Sequence, residues 1–154
     1  MPILRILLLT ALATATPALA ETLFSGYERE VLAWCYENCC TTPGAIEPAA
    51  FDETMRTSPA PGGVSGVLGV YRAIFETQSQ TERFMREKVR VPVLGLGGDA
   101  SFGDKTRALL TTVAENVQGG VLANCGHFIP EEQPEELVRL LSAFWAETAQ
   151  SPPG

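Results

Sequence analysis

The chain has 154 residues, of which 45% are hydrophobic and 19% are charged. This length and apolar content suffice for one globular domain with a core, or for parts of two, and they exclude a disordered chain. Eleven Lys and Arg residues stand against 18 Asp and Glu, for a net charge of -7. The acidic balance argues against a nucleic-acid partner, and the interrupted apolar runs argue against membrane-spanning helices.

The first twenty residues have the composition of an export signal. A positive start that includes Arg5 precedes an apolar stretch from Ile6 to Ala15, and the small residues Ala18 and Ala20 provide a cleavage motif. We expect cleavage before Glu21 and a secreted or periplasmic protein. The alternative is a buried N-terminal helix, which fits less well because threonines and a proline interrupt any helical stripe.

Four cysteines raise the question of disulfides in an exported chain. Cys35, Cys39 and Cys40 lie within six residues of one another, and Cys125 lies far downstream. A bridge between Cys35 and Cys39 would span one helical turn and would gain little loop entropy. One histidine and no C-x-x-C pair argue against zinc, so we expect no metal site. We interpret the cysteines as packing residues with at most one bridge, whose pairing stays open.

The segment from residue 21 to residue 90 has the pattern of short helices separated by turns. The first predicted helix ends at the turn Thr42–Gly44, and the second runs from about Pro48 to Arg56. A third follows the proline- and glycine-rich turn over residues 58–63. Its apolar stripe comprises Val64, Val67, Leu68, Tyr71 and Phe75.

From residue 91 the hydrophobic pattern changes from helical spacing to short continuous runs. The predicted elements are a strand over Val91–Leu96, a helix over about 104–116, a second strand over Val121–Ala123 and a helix from near Pro134. Gly97-Gly98 are expected to end the first strand, and Gly119-Gly120 to break the chain before the second. This order implies parallel strands joined by a right-handed crossover, and therefore an α/β fold.

His127 is the only histidine, and it closely follows the second predicted strand. Open α/β sheets carry their active-site loops at the carboxyl ends of the strands. An imidazole in that place can accept and return a proton near neutral pH. From its spacing alone, a general base and a loop histidine that is hydrogen-bonded for structure are equally good interpretations.

The segment from Val91 to Trp145 resembles the last part of the α/β-hydrolase fold, in which a Gly-His pair after the final strand carries the catalytic histidine. The run Gly126–Pro134, with the pattern G-H-x-x-x-E-E-x-P, carries this resemblance, and the glycine-rich loop Gly97–Gly103 adds to it. The pair Tyr71-Arg72 and the cap-like start Phe24–Glu30 are similar to the epoxide hydrolase and haloalkane dehalogenase branch. The resemblance implies a partial α/β-hydrolase fold, with a helical cap segment followed by a C-terminal βαβα unit of parallel strands.

The resemblance also implies a division of the chain and two catalytic roles. The predicted segments are a signal peptide at 1–20, a helical cap-like segment at 21–90, the βαβα part of the core at 91–150 and a tail at 151–154. His127 would be the base that activates water against an ester intermediate. Tyr71 would be a cap tyrosine that donates a hydrogen bond to the epoxide oxygen as negative charge develops. A plain core residue with an outward hydroxyl is the alternative for Tyr71.

The acid that would orient the histidine is harder to place. Relatives commonly have the pattern G-x-x-D after the preceding strand, and here its last position is Ser101. Asp99 or Asp104 would have to substitute, and we take Asp99 as the candidate acid, with a helix cap as its alternative role. Glu131 and Glu132 precede the last helix, where their carboxylates would meet the positive end of its dipole.

The nucleophile of the fold is missing from this sequence, because relatives carry an Asp or Ser on an elbow before the cap and no G-x-S-x-G occurs here. We therefore expect the C-terminal half of a secreted, cofactor-free, epoxide hydrolase-like enzyme that is inactive alone. Its complete relatives would hydrolyse a small apolar epoxide or ester-like substrate through an ester intermediate. Its candidate partners are a copy of itself, as a homo-oligomer, or the missing N-terminal half. One alternative function is a non-catalytic interaction module that completes its sheet with a partner chain or with a copy of itself. The other is a divergent esterase that uses Asp99.

Overall fold

The structure is a computed structural model that describes residues 17–57 and 63–149. Most of the predicted signal peptide, the turn at 58–62 and the tail at 151–154 lie outside the described residues. The elements in chain order are α1 (Pro17–Phe24), α2 (Glu28–Cys39), α3 (Pro48–Thr57), α4 (Gly63–Arg72), α5 (Ile74–Arg86), β1 (Val93–Gly98), α6 (Lys105–Leu110), β2 (Val117–Leu122), α7 (Ile129–Glu132) and α8 (Pro134–Ala149).

The described residues fall into two compact units. The first extends up to Cys39 and from Pro43 to Gln78, and the second comprises Cys40–Thr42 and the residues from Ser79 onward. This division falls within α5, while the predicted domain boundary after residue 90 stays a prediction. The three residues at 40–42 therefore belong to the second unit although they lie between two helices of the first.

The first unit is helical. α2 and α3 are joined by Arg29, whose guanidinium lies 3.0 Å from Asp52 Oδ1 and 4.9 Å from the centre of the Phe51 ring. Arg72 on α4 pairs with Glu21 on α1 at 2.8 Å. α1 runs through the predicted cleavage point before Glu21, and the cleavage stays a prediction.

The predicted third helix is divided in two, because the backbone turns at Ala73 between α4 and α5. Leu68 of its apolar stripe is buried, as an inward-facing residue should be. Phe75, which the sequence put on the same stripe, lies beyond the break and is 74% exposed. The inclusion of Phe75 in the apolar face was therefore wrong.

The second unit is built on two parallel strands, as the sequence predicted. Val93 of β1 pairs with Val117 of β2, and the register runs on to Gly98 and Leu122. The Val93 amide donates to Asn116 O and the Asp99 amide donates to Leu122 O, both at 2.9 Å. α6 lies in the crossover between the strands, and α8 begins at Pro134 as expected.

Gly119 and Gly120 lie inside β2, so the prediction that they break the chain was wrong. Gly119 has a φ of +112°, and a Cβ there would overlap the carbonyl oxygen of Gly95 on β1. A Cβ on Gly95 would lie 2.6 Å from Leu110 Cδ1 on α6. These glycines therefore allow close backbone approach inside the unit, which is one of the uses of glycine in a strand.

α6 ends at Leu110, so the helix predicted over about 104–116 is shorter than expected. The hydroxyls of Thr111 and Thr112 donate to the carbonyl oxygens of Ala108 and Leu109 at 2.6 and 2.7 Å. The Thr112 amide bonds Leu109 O, three residues back instead of four. Such local bonds compete with the α-helical pattern and tighten the last turn.

We predict that Gly119→Ala lowers the free energy of unfolding by about 1–3 kcal/mol, because alanine disfavours this φ and its Cβ would meet the Gly95 backbone. Urea unfolding followed by circular dichroism measures the change. Gly120→Ala is the matched control, since no atom lies within 4 Å of its Cβ position. It should change stability by about 0.5 kcal/mol or less, and equal losses in the two variants would contradict the prediction.

Candidate functional site

His127 lies in the connection between β2 and α7, at the carboxyl end of the strands. We call residues 123–128 the histidine loop. The His127 side chain is exposed, with its ring 5.1 Å from the Phe128 ring at 89° and 6.1 Å from the Phe102 ring. Asn124 has a φ of 53°, a left-handed conformation that asparagine tolerates better than most residues. The loop therefore turns sharply before it presents the imidazole.

Asp99, the first residue after β1, fastens the start of the histidine loop. Its carboxylate accepts hydrogen bonds from the amides of Asn124 at 3.0 Å and Cys125 at 3.1 Å. These bonds, that of Cys125 foremost, lower the pKa of Asp99 below the ordinary value of an aspartate. The Ala100 amide returns a bond to Cys125 O at 3.1 Å. Asp99 thus binds the loop and caps no helix, so its alternative role as a cap was wrong.

Glu132, the last residue of α7, binds the other end of the loop. Its side chain is buried, and its carboxylate accepts the amide of Gly126 at 3.0 Å and that of Phe128 at 3.2 Å. The amides of Thr41 and Thr42 bond the same carboxylate at 2.6 and 3.2 Å. The interpretation of Glu132 as a partner of the helix dipole missed these bonds. No signal in the sequence separates it from its exposed neighbour Glu131, since both precede the same helix.

Between these two carboxylates lies Cys125, which is fully buried. Burial, followed by the charges of Glu132 and Asp99, raises the pKa of the Cys125 thiol to about 11. Burial also raises the pKa of Cys35 to about 11, with Cys39 contributing. All four cysteines are reduced in this structure. A neutral thiol suits packing, and Cys125 fills the space beneath the loop.

Gly98 brings the end of β1 directly against the histidine loop. A Cβ at this position would overlap the carbonyl oxygens of Cys125 and Gly126. Any larger residue would displace the backbone one residue before His127. The sequence predicted that Gly97-Gly98 end the first strand, and they are the last two residues of β1; the close approach of Gly98 to the histidine loop was not predicted.

The structure brings two of the three predicted site residues into one unit. Asp99 and His127 both belong to the second unit, and Asp99 bonds the amides two and three residues before His127. Tyr71 lies half-buried on α4 in the first unit. The catalytic roles of His127, Tyr71 and Asp99 stay predictions.

The His127 ring has no carboxylate hydrogen-bonded to it among the described residues. Asp104, the other candidate acid, pairs with Arg107 on α6 at 3.0 Å. Ser101, at the expected acid position, is buried, and its hydroxyl has no partner within the described part of the chain. Among the described residues, no hydrogen bond to the imidazole therefore identifies the acid that would orient His127.

Residues 17–57 and 63–149 lack the features of two other classes of protein. They contain no group of three or more His, Cys, Asp or Glu side chains arranged to hold a metal ion. They also contain no helix with the length and apolar character needed to cross a membrane.

Known proteins with hydrolase folds are similar to the chain. No protein-family model matches it. The soluble epoxide hydrolase of Corynebacterium sp. (strain C12) is 30% identical over 105 residues, which are 68% of this chain and 36% of that enzyme. The chain thus spans about a third of the length of this curated relative.

Three solved structures share the fold. Cfl2 from Burkholderia cenocepacia has 36% sequence identity and a TM-score of 0.80, over 88% of this chain and 46% of its own. The epoxide hydrolase CorEH has 26% identity and a TM-score of 0.81, over 90% and 49%. A protein from Nostoc sp. PCC 7120, described as an α/β hydrolase, has 31% identity and a TM-score of 0.74, over 82% and 44%. The chain therefore spans just under half of each.

We predict that Asp99→Asn lowers the free energy of unfolding at neutral pH, because the amide side chain has one acceptor oxygen for two backbone amides. The pKa of Asp99 is lowered by folding, so its contribution is complete above the ordinary aspartate pKa and is lost as the pH falls through the folded-state value. Urea unfolding curves of wild type and variant should therefore differ at pH 7 and converge as the pH falls below the ordinary aspartate pKa.

Asp104→Asn is the control for this experiment. Its ion pair with Arg107 is exposed and lies within one helical turn, so its loss should cost about 0.5 kcal/mol or less. A destabilisation by Asp99→Asn that persists undiminished in acid would show that the charge of Asp99 is not what holds the loop.

Proposed function

Because the chain belongs to the α/β-hydrolase superfamily, we propose that it supplies the cap and the catalytic base of a hydrolase that opens epoxides. The observation that carries this proposal is the position of His127, in a loop fixed at the carboxyl end of two parallel strands. The likeness to the Corynebacterium epoxide hydrolase supports the choice of substrate class. The proposal includes export of the chain, with residues 1–20 as the signal peptide.

The reaction has two steps. A carboxylate nucleophile attacks one carbon of the epoxide, the carbon–oxygen bond breaks, and Tyr71 donates a hydrogen bond and then its proton to the released oxygen. Water next attacks the resulting ester, and His127 takes the proton of that water. The ester bond breaks, the diol leaves, and the nucleophile regains its carboxylate. His127 releases its proton to solvent, to which the ring is exposed, and the Tyr71 phenolate takes a proton back from solvent, so both groups are restored.

The nucleophile belongs to the part of the hydrolase that this chain does not match. The carboxylate of Asp99 accepts the amides of Asn124 and Cys125. Within the proposal, Asp99 therefore orients His127 indirectly, by holding the histidine loop. The chain then contributes a base whose position is fixed before the nucleophile is present. Catalysis requires the remaining half of the fold.

We predict that the purified chain does not hydrolyse styrene oxide or p-nitrophenyl acetate, because it carries no nucleophile. A fusion of residues 21–149 behind the N-terminal part of the Corynebacterium enzyme, where the proposal places the nucleophile, should hydrolyse epoxides. In that fusion His127→Ala should reduce turnover about 100- to 10,000-fold. Tyr71→Phe should reduce it about 10-fold or more, because the hydrogen bond to the developing oxyanion is lost.

Tyr27→Phe is the control for the tyrosine, since Tyr27 is 62% exposed in the same helical unit. Circular dichroism and melting establish that each fusion is folded. Turnover by the chain alone that disappears in His127→Ala would contradict the requirement for a second half. A folded, active fusion that tolerates His127→Ala would contradict the role of the histidine.

The free edge of β1 favours a second candidate function, a non-catalytic interaction module. Val93 and Asp99 donate their amides towards β2, and alternate residues of a parallel strand face opposite neighbours. The amides of Leu94, Leu96 and Gly98 therefore face the other edge, where no strand pairs among the described residues. An unpaired edge is a template for a strand from another chain.

We predict that, if the interaction module is the correct function, the purified chain elutes as a monodisperse oligomer and melts cooperatively. Pairing at the β1 edge would bury the amides and the apolar side chains that otherwise meet water. Size-exclusion chromatography with light scattering and a thermal melt measures both properties. Soluble aggregate without a melting transition would contradict the module and favour the catalytic half.

A further inference from the structure

Glu132 is the one buried carboxylate in the described part of the chain. Each of its oxygens is engaged. Oε1 accepts the amides of Gly126 at 3.0 Å and Phe128 at 3.2 Å. Oε2 accepts Gly126 at 3.0 Å, Thr41 at 2.6 Å and Thr42 at 3.2 Å. Four backbone amides therefore converge on one charge.

Two of these amides flank His127 on either side in the chain. The Gly126 N–H belongs to the Cys125–Gly126 peptide and the Phe128 N–H to the His127–Phe128 peptide. Because one carboxylate holds both, the peptide after the histidine and the second peptide before it have little freedom to rotate. This restrains the backbone from which the imidazole projects towards the Phe102 and Phe128 rings, 6.1 and 5.1 Å away. Asp99 holds the loop further upstream, at Asn124 and Cys125.

No basic side chain pairs with Glu132 among the described residues, so backbone amides alone compensate the buried charge. Hydrogen bonds to an ionised acceptor are roughly twice as strong as neutral ones. A glutamine in its place would have one acceptor oxygen, and its NH₂ group would face amides that also donate. The four amide donors therefore require the two acceptor oxygens of a carboxylate, and a glutamine of the same shape does not provide them.

The other two amides come from Thr41 and Thr42, which precede Glu132 by 91 and 90 residues. Oε2 is shared between this segment and Gly126. A shift of residues 41–42 would thus displace Oε2, the same atom that accepts the Gly126 amide of the histidine loop. The segment between α2 and α3 and the histidine loop are coupled through one atom.

We propose that Glu132 is the positioning residue for His127, and that it couples the placement of the segment Cys40–Thr42 to the orientation of the catalytic base. The inference rests on the proposed function in so far as His127 is the base. It does not require Glu132 to touch substrate.

The test uses the full chain and the variant Glu132→Gln. Because His127 is the only histidine, its ring gives one set of imidazole signals in a proton NMR spectrum. Wild-type protein should show nuclear Overhauser contacts from this ring to the Phe102 and Phe128 rings. In Glu132→Gln these contacts should fall at least twofold, and the amides of Gly126, Phe128 and Thr41 should exchange with solvent about tenfold faster or more, and in parallel.

Glu131→Gln is the matched control, because its side chain is exposed and one residue away. It should leave both measurements unchanged. Glu132→Asp keeps the charge on a shorter arm, and it should restore part of the ring contacts. If Glu132→Gln does not fold, the proposal is tested by the amide exchange rates of the wild type and by the ring contacts of Glu132→Asp. Fast, independent exchange of the four amides in wild type would overturn the proposal, as would unchanged ring contacts in a folded Glu132→Gln.

The fusion with the Corynebacterium N-terminal part separates this inference from the proposed function. There Glu132→Gln should lower kcat about 10- to 100-fold with KM unchanged, as a displaced base would. A fusion that is inactive while the NMR changes occur would reject the function and leave the positioning role standing. An active fusion that is indifferent to Glu132→Gln would overturn the positioning role alone.

Discussion

The structure of the candidate site depends on finding acceptors for the backbone amides of a loop that has left its sheet. After Leu122 the chain no longer pairs with β1, yet the amides of Cys125 and Gly126 are buried. A buried N–H without a partner costs free energy comparable to a lost hydrogen bond. Asp99 and Glu132 supply the missing acceptors from the two sides of the loop. The position of His127 follows from the hydrogen bonds that these two carboxylates accept from the neighbouring amides.

The same constraint explains why small residues surround the loop. The amides of Asn124 and Cys125 can reach Asp99 only if the end of β1 approaches the loop closely, and Gly98 leaves the room for this. Cys125 is fully buried beside the two carboxylates as a neutral thiol, because its burial and, after it, the charges of Glu132 and Asp99 raise the pKa of the thiol. The placement of the two carboxylates, of Gly98 and of the Cys125 thiol is therefore mutually dependent. A change at any of them acts on the histidine through the backbone.

The sequence predicted the elements that show a regular hydrophobic pattern, and it missed the features that depend on tertiary contacts or on side-chain hydrogen bonds. Helical spacing located α2, α3 and α8, and short apolar runs located two parallel strands and the histidine after the second. Gly119-Gly120 were interpreted as a break, because a sequence does not show that Gly95 of β1 approaches one of them. The end of α6 was missed because it depends on where the hydroxyls of Thr111 and Thr112 bond. Glu132 was missed because burial, and no pattern, distinguishes it from Glu131.

The groups that fix His127 all belong to the second unit, and this bears on how such a site could function. Asp99, Glu132 and residues 40–42 position the loop without any contribution from a nucleophile. Under the proposed function, a base that is oriented in advance loses less entropy when water and the ester intermediate arrive. The cost is a buried negative charge that only peptide dipoles compensate, which requires all four amides to stay in place. In the proposed coupling, the amides of Thr41 and Thr42 therefore take part in orienting the imidazole, although they precede Glu132 by 91 and 90 residues.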